Sequence, residues 1–140
     1  MPTIQSDIEA ALFSRLASFN YSPALPIAWP NVSMNPKPAR YLRVNHIPNT
    51  SRRLFVGSGA PHQRLGLLQV DVFTPLNQGP STATEIAGLI AAHFPADLRL
   101  TTGSPLKIVG RVAKASDVGP ALPDDTHWMV PTTVYYEALL

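Results

Sequence analysis

Cysteine is absent from all 140 residues, which excludes disulfide frameworks, thiolate metal sites and cysteine nucleophiles. No apolar run approaches the ~20 residues needed to span a bilayer. Asp7 and Glu9 stand where an export signal would carry basic residues, so the expectation is a protein made in a cytoplasm with no membrane role. Charge is scarce as well: 14% of residues are charged, against roughly 25% in an ordinary soluble domain. A monomer so poor in charge has difficulty covering its surface, which points to burial against partners. The length fits one domain, residues 1–140, with room for a proper core.

Proline is abundant, with 15 residues, about twice the usual share. The prolines do not repeat, so they read as rigid connections. Net charge is only +2, but the charges are unevenly placed. No acid lies between Ala10 and Val70, where Arg15, Lys37, Arg40, Arg43, Arg52, Arg53 and Arg64 are basic. From Asp71 onward Asp71, Glu85, Asp97, Asp117, Asp124, Asp125 and Glu137 outnumber Arg99, Lys107, Arg111 and Lys114. Three readings stay open: charges intermixed on the folded surface, opposed faces meeting between neighbours, or a basic patch facing nucleic acid.

Ile4, Ile8, Leu12, Leu16 and Phe19 recur at helical spacing, with Ser6 and Glu9 as a capping box, Thr3 as a competing cap, and Asn20 and Pro23 as the end. Burying that stripe is worth roughly 7–15 kcal/mol gross, most of it offset by ordering entropy. Residues 21–39 are punctuated by Pro23, Pro26, Pro30, Pro36 and Pro38, around a short strand at Ile27-Ala28-Trp29 with Trp29 as a core residue. Alternation predicts a strand from Arg40 to Ile47, stopped by Pro48. A long connection over 48–63 follows, in which Leu54, Phe55 and Val56 order against a partner or top a plain hairpin excursion. The clearest strand runs Arg64–Thr74, with Leu68, Val70 and Val72 inward and Gln69 and Asp71 outward. A second helix, capped by Ser81 or Thr82, carries Ala83, Ile86, Ala87, Ile90 and Phe94 and ends at Pro95. Strands follow near 98–102 and 106–113, then a connection over 117–125 and a last strand His127–Ala138. Pro131 inside that last strand predicts an edge position or a bulge, and Pro131 and Tyr135 become candidates for pairing with a neighbour. This order predicts an α+β fold: a mainly antiparallel sheet with two helices on one face.

The search for chemistry returns no catalytic, cofactor-binding or metal site. His46, His62, His93 and His127 fall on different elements, without His-Glu-x-x-His spacing. Gly57-Ser58-Gly59 lacks the spacing of a nucleophile elbow and has no following Lys-Ser or Lys-Thr for a phosphate loop. Asp71 has no evident catalytic partner and reads better as solubilising or paired with an arginine. Asn31-Val32-Ser33 fits a glycosylation acceptor, moot without export. Arg40, Tyr41 and Arg43 interleave basic and aromatic residues, but no nucleic-acid module surrounds them. The candidate interface is therefore the loop and basic face: Arg40, Arg43, Arg52, Arg53, Leu54, Phe55 and Arg64.

Three runs carry a further signal: Ile27-Ala28-Trp29-Pro30-Asn31, Tyr41-Leu42-Arg43-Val44 and Gly66-Leu67-Leu68-Gln69-Val70-Asp71-Val72-Phe73. With the closing Trp128-Met129-Val130-Pro131 and Val134-Tyr135-Tyr136, the chain resembles the tail terminators of long non-contractile-tailed bacteriophages from about Ile27 to Ala138. The resemblance implies a homo-oligomeric ring, a hexamer, that caps the major tail tube protein and offers a surface to a head-completion or connector protein. It implies DNA passing through the lumen without specific binding, no cofactor, assembly in a host cytoplasm and a place in the virion tail. Two other readings compete: a head-closure or connector protein, and a small nucleic-acid-binding domain using the arginines.

Overall fold

The computed structural model describes residues 3–21, 25–33, 38–103, 105–123 and 126–139. Pro23, Pro36, Lys37, Asp124 and Asp125, used in the sequence reading, lie outside the described residues.

Helix α1 spans Ile4–Ala17, and Thr3 rather than Ser6 is its cap. The Thr3 hydroxyl accepts the Ser6 N–H at 3.2 Å while the Ser6 hydroxyl accepts the Thr3 N–H at 2.8 Å. The reciprocal box thus sits one turn earlier than the Ser6–Glu9 spacing suggested, which leaves the Glu9 carboxylate free for the sheet. Ile8, Ala11, Leu12 and Leu16 are buried, with Ile4 and Phe19 packed at the margin. Strand β1 (Ile27–Ala28) follows, then Trp29, which packs its ring 5.2 Å from Phe13. Asn31 turns the chain with φ of 59°, a conformation asparagine tolerates better than most residues.

Strand β2 runs Tyr41–Arg53 and β3 runs His62–Pro75. Proline does not stop β2: Pro48 pairs opposite Gly66, and a bulge between Pro48 and Ser51 carries the pairing on to Arg53 and His62. The expected long connection over 48–63 is therefore mostly hairpin, with only 54–61 outside the strands. Proline is accepted here because the outer edge of β2 needs no donor; β1 pairs only with Leu42 and Arg43.

Helix α2 (Ser81–His93) begins at Pro80 with no side-chain cap, so Ser81 and Thr82 are its first residues rather than its cap. It buries Ala83, Ile86, Ala87 and Ile90, and Phe94 follows into the core. Strands β4 (Arg99–Thr102), β5 (Lys107–Val112), β6 (Asp117–Val118), β7 (Leu122–Pro123) and β8 (His127–Leu139) complete the chain. The order across the sheet is β1-β2-β3-β8-β5-β4, with β6 and β7 also on β8. All pairings but β1–β2 are antiparallel.

Strand β8 is interior: β3 pairs along its whole length, and β5, β6 and β7 take the other side in turn. Pro131 fits without a bulge because its carbonyl faces the gap after β6, accepting the Gly119 N–H at 2.8 Å. In an antiparallel strand a residue's N–H and C=O point the same way, so the donor that proline lacks would also face that gap. Pro131 and Tyr135 are not edge-strand residues.

Both helices cover one sheet face, in a cluster with Leu42, Val44, Leu68, Val70, Val72, Val130 and Val134. That makes the fold α+β, with the strand phases that alternation predicted.

Candidate functional site

The free end of the β2–β3 hairpin gathers most of the residues that sequence had marked. Its tip exposes Leu54 by 47%, Phe55 by 51% and Val56 by 94%. Three adjacent apolar side chains in water are costly at roughly 25 cal/mol per Å² of apolar surface, so covering the tip would be favourable. It is also ordered from within. Arg53 folds back and donates from Nε to the Phe55 carbonyl at 3.0 Å and from Nη2 to the Val56 carbonyl. Arg64 braces the arms, donating to the Ser51 hydroxyl at 3.2 Å.

The bulge decides which way the arms point. After it, Arg52 pairs opposite Gln63 while Arg53 pairs opposite His62 and Ser51 opposite Arg64. Arg52 therefore projects from the helix-free side, and Arg53 and Arg64 from the other. Arg43 is engaged within the subunit. It reaches the buried Asp71 carboxylate at 2.9 Å and lies 5.0 Å from the centre of the Phe73 ring. Arg40 sits half-buried at the bend before β2.

Charges in the second half are largely answered there. Arg111 reaches Asp97 at 2.6 Å and Glu137 at 3.6 Å, Lys114 meets Asp117 at 3.4 Å, and Lys107 crosses to Asp7 at 2.9 Å. Tyr135 donates its hydroxyl to Asp117 at 2.8 Å, which holds the Asp117 carboxyl below its usual range and raises the Tyr135 hydroxyl. The charge asymmetry of the sequence thus survives folding at the hairpin and is softened elsewhere.

The histidines remain apart, and His46 and His127 are held in contacts within the subunit. His46 Nδ1 bonds the Glu9 carboxylate at 3.0 Å and Nε2 bonds the Tyr136 hydroxyl at 2.7 Å, joining α1 to β2 and β8. This looks like an acid–imidazole–hydroxyl relay, but burial, with Glu9 adding to it, pushes the Tyr136 hydroxyl above its ordinary value. A nucleophile needs the opposite shift. His127 packs edge-on against Tyr41 and Phe73 and bonds the Pro38 carbonyl at 3.1 Å. Among the described residues no group of three His, Asp or Glu side chains could hold a metal ion, and no helix is long and apolar enough to cross a membrane.

A second surface was missed from sequence. At the far end of β3 an open apolar hollow of about 380 Å³ is lined by Pro75, Leu76, Asn77, Pro80, Pro123 and Trp128. Asn77 and Gly79 hold its wall in left-handed conformations, with φ of 64° and 77°. The Trp128 indole nitrogen is buried with no hydrogen-bond partner among the described residues. Only the fold brings Pro75 and Pro80 beside Pro123 and Trp128; the sole sequence signal is proline near each.

A family model described as "Phage tail terminator protein" matches residues 7–136. A solved structure bearing no functional name shares the fold at a TM-score of 0.76 and 29% identity, covering 97% of this chain and 96% of that one. No curated protein matches the sequence.

Proposed function

Because the chain belongs to the phage tail terminator family, we propose that it works as one subunit of a ring, a hexamer, that caps the tail tube. The ring halts addition of tube protein and presents its other side to the head-completion or connector protein. DNA passes through its lumen without specific recognition, and assembly takes place in the host cytoplasm. The subunit acts by shape and surface, with no reacting group.

The observation that carries this reading is the hairpin end. An ordered, exposed apolar tip flanked by Arg52 and Arg53, on a chain only 14% charged, suits a subunit whose surface is completed by neighbours. A duplex-binding reading is weakened because Arg43 and Arg53 are already bonded within the subunit.

Electron microscopy of particles assembled without the protein tests the proposal. Overlong tails are expected. Tails of normal length that fail to join heads would instead assign it to the head–tail joint.

A further inference from the structure

We propose that the ring contact is made by the hairpin tip of one subunit, Leu54-Phe55-Val56, seated on the outer face of helix α2 of the next copy. The inference rests on the ring reading above and names the two surfaces that build it.

Helix α2 is apolar on the side turned to water as well as on the side turned to the sheet. Ala83, Ile86, Ala87 and Ile90 fill its inner side, yet Gly88, Leu89 and Ala92 face outward, with Leu89 exposed by 43%. Of its 13 residues only Glu85 carries a full charge. Pro95 and Ala96, also exposed, carry the uncharged strip past the end of the helix. A surface helix ordinarily sets charged residues against water, and one that is apolar nearly all round belongs in an interior. Here that interior is supplied by assembly.

The occupant is chosen by charge. Glu85 lies one helical turn before Leu89 on the same face. Among the described residues it is the one acidic side chain that meets no cation or histidine. Arg52 and Arg53 have no carboxylate partner there either, and they directly precede the exposed apolar run of the tip. Tip and helix face therefore each offer what the other lacks, apolar cover with the opposite charge beside it. Two α2 helices set face to face would bring Glu85 against Glu85 and leave the arginines unanswered.

Position excludes the same chain as its own partner. Helix α2 packs over β3, β8 and β6, whereas the tip lies beyond Gln63, where the pairing of β3 with β8 ends. A knob at the end of the sheet and a seat on its helical side make a heterologous contact, which closes into a ring when the rotation between copies allows it. The Arg53 bonds fix the tip before docking, which lowers the ordering cost of the contact.

The absence of cysteine makes the test clean. Phe55→Cys and Leu89→Cys are introduced together, and tails assembled with the variant are oxidised mildly. The expected product is a ladder of covalent oligomers of this chain on a non-reducing gel, ending at the ring size. Tails of normal length that carry the chain but give no ladder overturn this contact and leave the ring reading standing. Cross-linking to tube protein alone overturns it in the same way. Overlong tails that carry none of the parent chain overturn the ring reading itself, and the contact with it. A charge exchange supplies the second arm. Arg52→Glu and Glu85→Arg, both at exposed positions, should each melt like the parent and lower incorporation into tails about fivefold, and the two together should return it to within about twofold. Unchanged incorporation of either single variant, or no recovery in the pair, contradicts the proposal.

Discussion

Asp71 puts a carboxylate inside the sheet, where it holds three hydrogen bonds: two from Arg43, at 3.2 and 2.9 Å, and one from Gln69 at 3.0 Å. Arg43→Ala leaves that carboxylate with Gln69 alone. Bonds to charged groups are worth roughly 1.5–3 kcal/mol, and the half-exposed arginine places the expected loss near 2 kcal/mol, about the lower part of that range. Urea unfolding reads it, and an unchanged midpoint contradicts the role given to Arg43. His93 makes a second residue-level case. Its ring bonds the Arg15 carbonyl at 2.8 Å, while the Arg15 guanidinium returns bonds of 3.0 and 2.8 Å to the His93 carbonyl. Burial lowers the His93 pKa below 6.5, the bond to the Arg15 carbonyl opposes this, and the Arg15 charge adds to the lowering. The unfolded chain then takes up the proton first as pH falls. The contribution is complete above 6.5 and is lost as pH drops through the lower folded value. Unfolding midpoints should fall between roughly pH 7 and pH 5, and less so in His93→Gln; equal slopes would sink the assignment. An arginine partner for Asp71 was legible in sequence, but not which arginine, since Arg43 lies 28 positions away; the tie between His93 and Arg15, 78 apart, was not legible at all.

Among the elements, β3 and β8 approach closely at Gly66, which pairs with Tyr136. A Cβ at Gly66 would collide with the Tyr136 hydroxyl and ring, and that hydroxyl is held by His46. Gly66→Ala should therefore cost about 1–3 kcal/mol, as overpacking does. A melting temperature equal to the parent's would show that Tyr136 moves freely. The strand phases were readable because Leu68, Val70 and Val72 alternate with residues of a different kind, and the sheet buries only one face against helices. Two features escaped for definite reasons. Residues 48–53 read as loop because the arms leave the core there; with both faces wet, no alternation is selected. Pro131 pointed to an edge because the pattern cannot say that β6 and β7 leave a gap opposite it.

For the whole molecule, the surfaces proposed for assembly are ones that stability does not need. Arg52→Glu with Arg53→Glu should leave the unfolding free energy from urea titration within about 0.5 kcal/mol of the parent, as exposed changes do, and abolish tail completion. Wild-type particle yield from that variant would clear the hairpin of any part in assembly. The candidate surfaces were half legible: the apolar-basic tip stands out as a run, whereas the hollow is scattered over Pro75, Pro123 and Trp128 and exists only once folded. A subunit without reacting groups is proposed to stop a polymer by occupying its end. The direct measurement is the length distribution of tail tubes grown from purified tube protein with graded additions of this chain. Tubes should end shorter and cease growing once the added chain supplies one ring, six copies, per tube end. Growth that continues at the same rate, with the chain bound nowhere on the tube, would contradict the account.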